Sequence, residues 1–194
     1  MVNAGGDAVA GTVTASAGGR DMRSYVSAGS WVRFLVPAVL GLTLDLWVKA
    51  WSFPNGVPAA TMGLIPAGRY PAENGESLAL IPGFLKLTTT VNHGAVFGLF
   101  QGKVLYFLLF SILAMGVIVW VFLASKRDQW LVHLSLGLIT AGALGNLYDR
   151  AVFNGVRDML EFYVKWYPWI FNVADALLCL GVPLLMVRWT FGKE

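Results

Sequence analysis

Between Val104 and Ala124 the chain runs 21 residues without a charged side chain. At about 1.5 Å of rise per residue, a helix of that length crosses the ~30 Å of hydrocarbon in a bilayer. Three more runs share this character. Trp31–Trp51 carries Arg33 near its start and Asp45 and Lys49 near its end; Trp130–Tyr148 carries no Asp, Glu, Lys or Arg; Trp169–Trp189 holds Asp175 and, at its far end, Arg188. Trp31, Trp51, Trp130, Trp169 and Trp189 stand at the ends of these runs, where indole rings favour the membrane interface. The expectation is an all-α membrane protein with four transmembrane helices. Composition agrees: 57% of the 194 residues are hydrophobic and 13% charged, against roughly 25% charged in a soluble domain. A disordered chain, a coiled coil and a basic nucleic-acid binder are excluded, and a net charge of +3 fits residues flanking spans better than a phosphate-tracking surface.

Residues 1–30 are mostly Ala, Gly, Ser, Thr and Val with no helical or strand period, which reads as a disordered cytoplasmic tail ahead of a membrane domain over 31–194. The tail has neither the apolar core of a secretory signal peptide nor a lipidation motif. Residues 52–103 are too many for a bare turn. Pro54-Asn55-Gly56, Pro66-Ala67-Gly68 and Glu73-Asn74-Gly75 mark turns, and Leu85, Leu87, Thr89 and Val91 alternate with Lys86, Thr88 and Thr90 as in a half-buried strand. A small β-containing extramembrane element between the first two helices is therefore expected. With both termini in the cytoplasm, the inside segments hold Arg20, Arg23, Arg33, Lys126, Arg127, Arg188 and Lys193, and the outside ones Arg69, Lys86, Lys103, Arg150, Arg157 and Lys165. The short Ser125–Gln129 hairpin alone contributes two positive residues, which tips orientation that way.

The chemistry on offer is narrow. One cysteine (Cys179) and two histidines 40 positions apart (His93, His133) do not make a zinc site, and HExxH, GxSxG, GxxxxGK[ST] and GxGxxG are all absent. No metal and no cofactor are expected. Polar residues in or beside the spans are what remain, and each costs about 2.5–3.5 kcal/mol at a bilayer centre. Asp45 and Lys49 stand at i,i+4, suited to a mutual ion pair. Asn146 and Asp149 close the third run with Arg150 at its boundary, where an interfacial Asp149–Arg150 pair is the plain reading, and Gly142 and Gly145 would let another helix approach closely. Asp158 alone reads as a surface acid, and Asn172 with Asp175 alone as interhelical hydrogen-bond glue. Together, Asp158 and Asp175 emerge from different segments at one membrane face. Two such carboxylates can share a proton, one as general base on water and the other as acid, which is aspartic-protease chemistry. Two other readings fit the same residues: an ion or proton relay through Asp45 and Asp175, and a scaffold without chemistry.

At these residues the sequence resembles the bacterial lipoprotein signal peptidase (signal peptidase II) family, from about Trp31 to Trp189. The family's D-x-x-x-K is similar to Asp45–Lys49, its N-x-G-[AV]-A-F to Asn92-His93-Gly94-Ala95-Val96-Phe97, and its G-G-A-x-G-N-x-x-D-R to the stretch from Ala141 to Arg150. Its V-x-D-F resembles Val156-Arg157-Asp158-Met159, and its F-N-x-A-D resembles Phe171-Asn172-Val173-Ala174-Asp175. Met159 replaces a Phe, Val96 an Ala and Ala141 a Gly, all apolar or small exchanges. The resemblance implies an intramembrane aspartic endopeptidase of the bacterial inner membrane, with its site near the outer face. It would remove signal peptides from prolipoproteins by cutting before a diacylglyceryl-modified cysteine, using Asp158 and Asp175. Asn92, Gly94, Asn146, Arg150 and Asn172 would line the site; Asp45, Lys49 and Asp149 would hold the architecture beside it. The implied partners are the lipid-modified prolipoprotein and membrane lipid, not nucleic acid, and the enzyme would be a monomer.

Overall fold

The protein is described by a computed structural model covering residues 26–53, 69–70, 78–93, 104–164, 166–167 and 169–191. Of the tail expected over 1–30, residues 1–25 fall outside the described residues, as do the three turn motifs of the 52–103 element and Gly94, while Ala28–Ser30 already belong to the first helix. Among the described residues four helices are long and apolar enough to cross a membrane: α1 (Ala28–Ser52), α2 (Val104–Ala124), α3 (Trp130–Phe153) and α4 (Val173–Phe191).

The order of the helices around one another follows from their surfaces. In its most apolar stretch α3 is 56% buried, against 11% for α2; α3 is the central element, packed by α1, α2 and α4. Gly137, Gly142 and Gly145 make this possible. A Cβ at Gly137 would strike the Phe34 carbonyl and Pro37 of α1, and one at Gly142 would strike the Ala174 carbonyl and Leu178 of α4. One at Gly145 would run into the Asp45 carboxylate. Gly142→Val and Gly145→Val are each expected to destabilise the fold by about 1–3 kcal/mol through overpacking, read as a lower melting temperature in detergent. An unchanged melting temperature would contradict the close approach.

The helix ends have local causes. Ser27 caps α1, its hydroxyl accepting from the Ser30 amide at 3.3 Å while Ser30 returns the bond to the Ser27 amide. The first helix therefore starts at Ala28, earlier than the Trp31 expected. α3 runs beyond Tyr148 to Phe153 and stops at Asn154, a left-handed residue (φ 55°). Asp149 and Arg150 thus belong to the helix. At one end of the bundle Phe34 stacks on Phe122 (centroids 4.5 Å apart) beside Ile118, Val132, Leu136 and Leu185. There His133 Nε2 lies 2.9 Å from Ser125 Oγ, which itself donates to the Phe122 carbonyl, fastening the α2–α3 hairpin.

At the other end lies an antiparallel sheet of β1 (Arg69–Tyr70), β2 (Leu78–Ile81), β3 (Leu85–Asn92), β4 (Val156–Phe162) and β5 (Ile170–Phe171), in the order β1-β3-β4-β5 with β2 also on β3. The β2–β3 turn is Ile81-Pro82-Gly83-Phe84, Pro fixing its second position and Gly83 supplying φ +74°. Leu87, Thr89 and Val91 of β3 are buried, as the alternation predicts. The sheet is not confined to the segment between α1 and α2, however: β4 and β5 come from the α3–α4 connection. Val156, Arg157, Asp158 and Met159 are all buried, so β4 has no exposed face to give an alternating pattern. Met159, fully buried, packs with Phe53, Leu87 and Val91 and joins the sheet to the bundle.

Candidate active site

Asp158 comes from β4, the strand between β3 and β5, opposite Thr90. β3 spends one more residue than β4 between the Leu87–Leu160 pair and the Thr90–Asp158 pair, a bulge of the kind that re-aims neighbouring side chains. The expectation that Asp158 alone would be a surface acid fails: it is 3% exposed, because β4 is covered by sheet and bundle together.

Asp175 arrives by another route, as the third residue of α4. Asn172 precedes that helix, its Oδ1 accepting the Asp175 amide at 2.9 Å while Asp175 Oδ2 accepts the Asn172 amide at 3.2 Å. This is a capping box built from Asn and Asp, and it explains why α4 begins at Val173 and not at Trp169.

The helix cap also bridges the acids. Asn172 Nδ2 donates to Asp158 Oδ1 at 2.6 Å and to Asn146 Oδ1 at 3.1 Å; Asn146 Nδ2 donates to Asp175 Oδ1 at 2.8 Å. Asn92 Nδ2 reaches the other Asp158 oxygen at 3.3 Å. One buried asparagine on the α4 cap and one on α3 thus fix both carboxylates relative to each other. Burial, and then the neighbouring Asp175 charge, push the Asp158 carboxyl well above its ordinary value of 3.8, against the opposing pull of its bonds to Asn172 and Asn92. Asp175 remains half-buried, the more open member of the pair.

A second network lies directly beneath. The Asp45–Lys49 pair that the spacing suggested is present at 2.8 Å, with both side chains fully buried. Lys49 Nζ also meets Asp149 Oδ2 at 3.2 Å, and the Gly145 carbonyl and Asn146 Oδ1 at 3.3 Å each. Asp45 Oδ1 accepts the Ala174 amide at 2.8 Å, tying α1 to the start of α4. The expected Asp149–Arg150 pair is replaced by another: Asp149 takes the Arg157 backbone amide (2.9 Å) and guanidinium (2.8 Å). Adjacent residues on a helix diverge by 100°, so Arg150 cannot face the same partner. Arg150 instead donates to the Asn146 carbonyl at 3.4 Å and lies over the Phe107 ring at 4.8 Å.

Asn92, Asn146, Asn172, Asp158 and Asp175 therefore form one connected group, with Lys49, Asp45 and Asp149 supporting it. Arg157 was not among the residues singled out from sequence. It is 7% exposed, sits 4.3 Å over the Phe153 ring, and binds β4 to α3 one residue before Asp158. A basic residue inside an apolar strand next to an acid was the available signal, since such a charge needs a buried partner.

A multi-pass membrane protein with an amide-bridged pair of acids, one buried and one half-buried, at one end of its bundle is the class that fold and site define. The model of the family described as Signal peptidase (SPase) II matches residues 37–191, and the chain belongs to that family; it is a peptidase. Among relatives, the lipoprotein signal peptidase of Desulfitobacterium hafniense is 43% identical over 113 residues, covering 58% of this chain and 74% of its own. That of Geobacter sulfurreducens is 42% identical over 116 residues, covering 58% and 72%. A bacterial membrane enzyme solved by the in meso method at 2.3 Å superposes with a TM-score of 0.70 at 26% identity, over 89% of this chain and 96% of its own.

Proposed function

We propose that this protein is an intramembrane aspartic endopeptidase that removes signal peptides from diacylglyceryl-modified prolipoproteins, cutting just before the lipidated cysteine. The observation that carries this reading is the bridge through Asn172, which holds Asp158 and Asp175 as one unit. The family membership supports the substrate class.

In this mechanism the buried Asp158 enters protonated, as its raised pKa favours, and passes its proton to the scissile carbonyl oxygen as the carbon is attacked. Asp175, on the more open side, takes a proton from water as the oxygen attacks the carbonyl carbon. The tetrahedral diol then collapses: the C–N bond breaks, the nitrogen takes the proton held by Asp175, and Asp158 recovers its own from a diol hydroxyl. Asn92, Arg150 and Gly94 would hold the extended peptide backbone. The chain would sit in the bacterial inner membrane as a monomer, both termini cytoplasmic, meeting the lipid-anchored substrate near the outer face.

Incubation of the purified protein with a diacylglyceryl-prolipoprotein, followed by mass analysis of both products, tests the reading. The expected products are the intact signal peptide and a chain beginning at the lipidated cysteine. A cut elsewhere, or substrate-free ion flux in liposomes without cleavage, would overturn it. The pH profile gives a second check. An acid that must be protonated loses function as pH rises through its pKa, so the alkaline limb lies well above pH 3.8. Asn92→Ala removes a donor that stabilises ionised Asp158 and is expected to move that limb to higher pH. If Asn92 served only to bind substrate, KM would rise and the limb would stay in place.

A further inference from the structure

The end of the bundle remote from the acids holds a cleft of about 640 Å³, lined by Ser27, Arg33, Arg127, Asp128 and Trp130. That volume suits a small polar ligand. Arg33 projects from the second turn of α1 and donates Nη1 to the Arg127 carbonyl at 3.1 Å, which draws the start of α1 against the α2–α3 hairpin. One of its five donors is used there, and the bond runs to the Arg127 backbone, which leaves the Arg127 guanidinium unused by it; both residues line the cleft. Lys126 adds a third positive charge next in the chain, against the single acid Asp128. Positive residues outnumbering the acid around one cleft favour an anion there.

Position indicates what that anion is. Arg33 stands sixteen residues before Lys49 on α1, about 24 Å of helix rise away, so the cleft lies at the opposite membrane face from the acids. Trp31 and Trp130, both exposed, flank it at span ends, at the depth where indole rings meet lipid headgroups. Basic pockets between spans at this level bind anionic headgroups.

We propose that the cleft between the start of α1 and the α2–α3 hairpin binds the phosphate of an anionic phospholipid through Arg33 and Arg127. The bound lipid would brace α1 against the hairpin, near the Phe34–Phe122 stack. This proposal stands apart from the peptidase reading, since none of its residues belongs to the acid group.

The test uses the full chain in neutral detergent, with phosphatidylglycerol, phosphatidylcholine and inorganic phosphate as probes, read by native mass spectrometry and melting temperature. Phosphatidylglycerol is expected to stay bound and raise the melting temperature, and the other two to do neither at equal concentration. Arg127→Gln keeps the carbonyl that Arg33 uses and is expected to weaken phosphatidylglycerol binding about fivefold; Arg33→Gln with Arg127→Gln weakens it about thirtyfold. Asp128→Asn removes the opposing charge and tightens binding, which keeps the test decisive if the double variant fails to fold. Unchanged binding in Arg127→Gln, or unchanged or weaker binding in Asp128→Asn, overturns the proposal. Stabilisation by inorganic phosphate equal to that by the lipid overturns the lipid as occupant.

Discussion

Lys49→Met is expected to lose about 3–5 kcal/mol of stability, the range for breaking a buried ion pair on one side. Lys49 Nζ is fully buried and serves Asp45 at 2.8 Å, Asp149 at 3.2 Å, the Gly145 carbonyl and Asn146 Oδ1. Methionine fills similar space but leaves Asp45 without its ammonium partner and Asp149 with Arg157 alone, two carboxylates whose mutual repulsion is no longer offset. Against a total of roughly 5–15 kcal/mol for a folded domain, that loss is large. Activity should fall as well, because Asn146 loses the bond that steadies the oxygen it presents to Asn172 and is then free to turn away from Asp175. Thermal melts in detergent measure the first effect and residual turnover the second. A Lys49→Met protein that melts like wild type would show that Asp45 and Asp149 are satisfied without the ammonium. Asp45→Asn should be milder, since the amide oxygen can still accept from the Ala174 N–H.

The parts of this architecture that local chemistry determines were readable in the chain. Uncharged runs long enough for a bilayer mark the spans, the i,i+4 spacing of Asp45 and Lys49 marks their pair, and the alternation from Leu85 to Val91 marks β3. What was not readable depends on contacts far apart in sequence or on turns with special backbone geometry. β4 has no alternation because both its faces are buried, and its pairing with β3 joins residues more than sixty positions apart, Thr90 with Asp158. Asp149 finds Arg157 only because the chain reverses through a left-handed Asn154 followed by Gly155, where a Cβ would collide with Val91 and His93. The helix-cap role of Asn172 was similarly hidden. Its three-residue spacing to Asp175 reads as one helical face, whereas the structure puts Asn172 just outside the helix, where its side chain can bind the Asp175 amide and still reach Asp158.

The largest loss of function is expected at the acids. Asp158→Asn and Asp175→Asn are nearly isosteric, so each should insert and fold, yet neither amide can exchange a proton. If one carboxyl must give a proton to the carbonyl and the other must take one from water, the loss at either position removes acid–base catalysis worth about 10²–10⁴-fold. The two losses should not multiply in the double variant, because the pair acts as a unit. Stability is expected to fall modestly at Asp175, by about 1 kcal/mol, because the asparagine keeps one acceptor for Asn146 and turns its NH2 toward the Asn172 amide that the carboxylate caps. At Asp158 the amide removes a carboxyl that burial already disfavours in its charged form.

The measurement that bears most directly on the central claim is a gel-shift cleavage assay on a diacylglyceryl-prolipoprotein, run side by side with wild type, Asp158→Asn and Asp175→Asn, each shown to be folded by its melting curve. A product band is expected from wild type and none from either folded variant within the same time course. Near-normal cleavage by either one would contradict the assignment of Asp158 and Asp175 as the reacting pair.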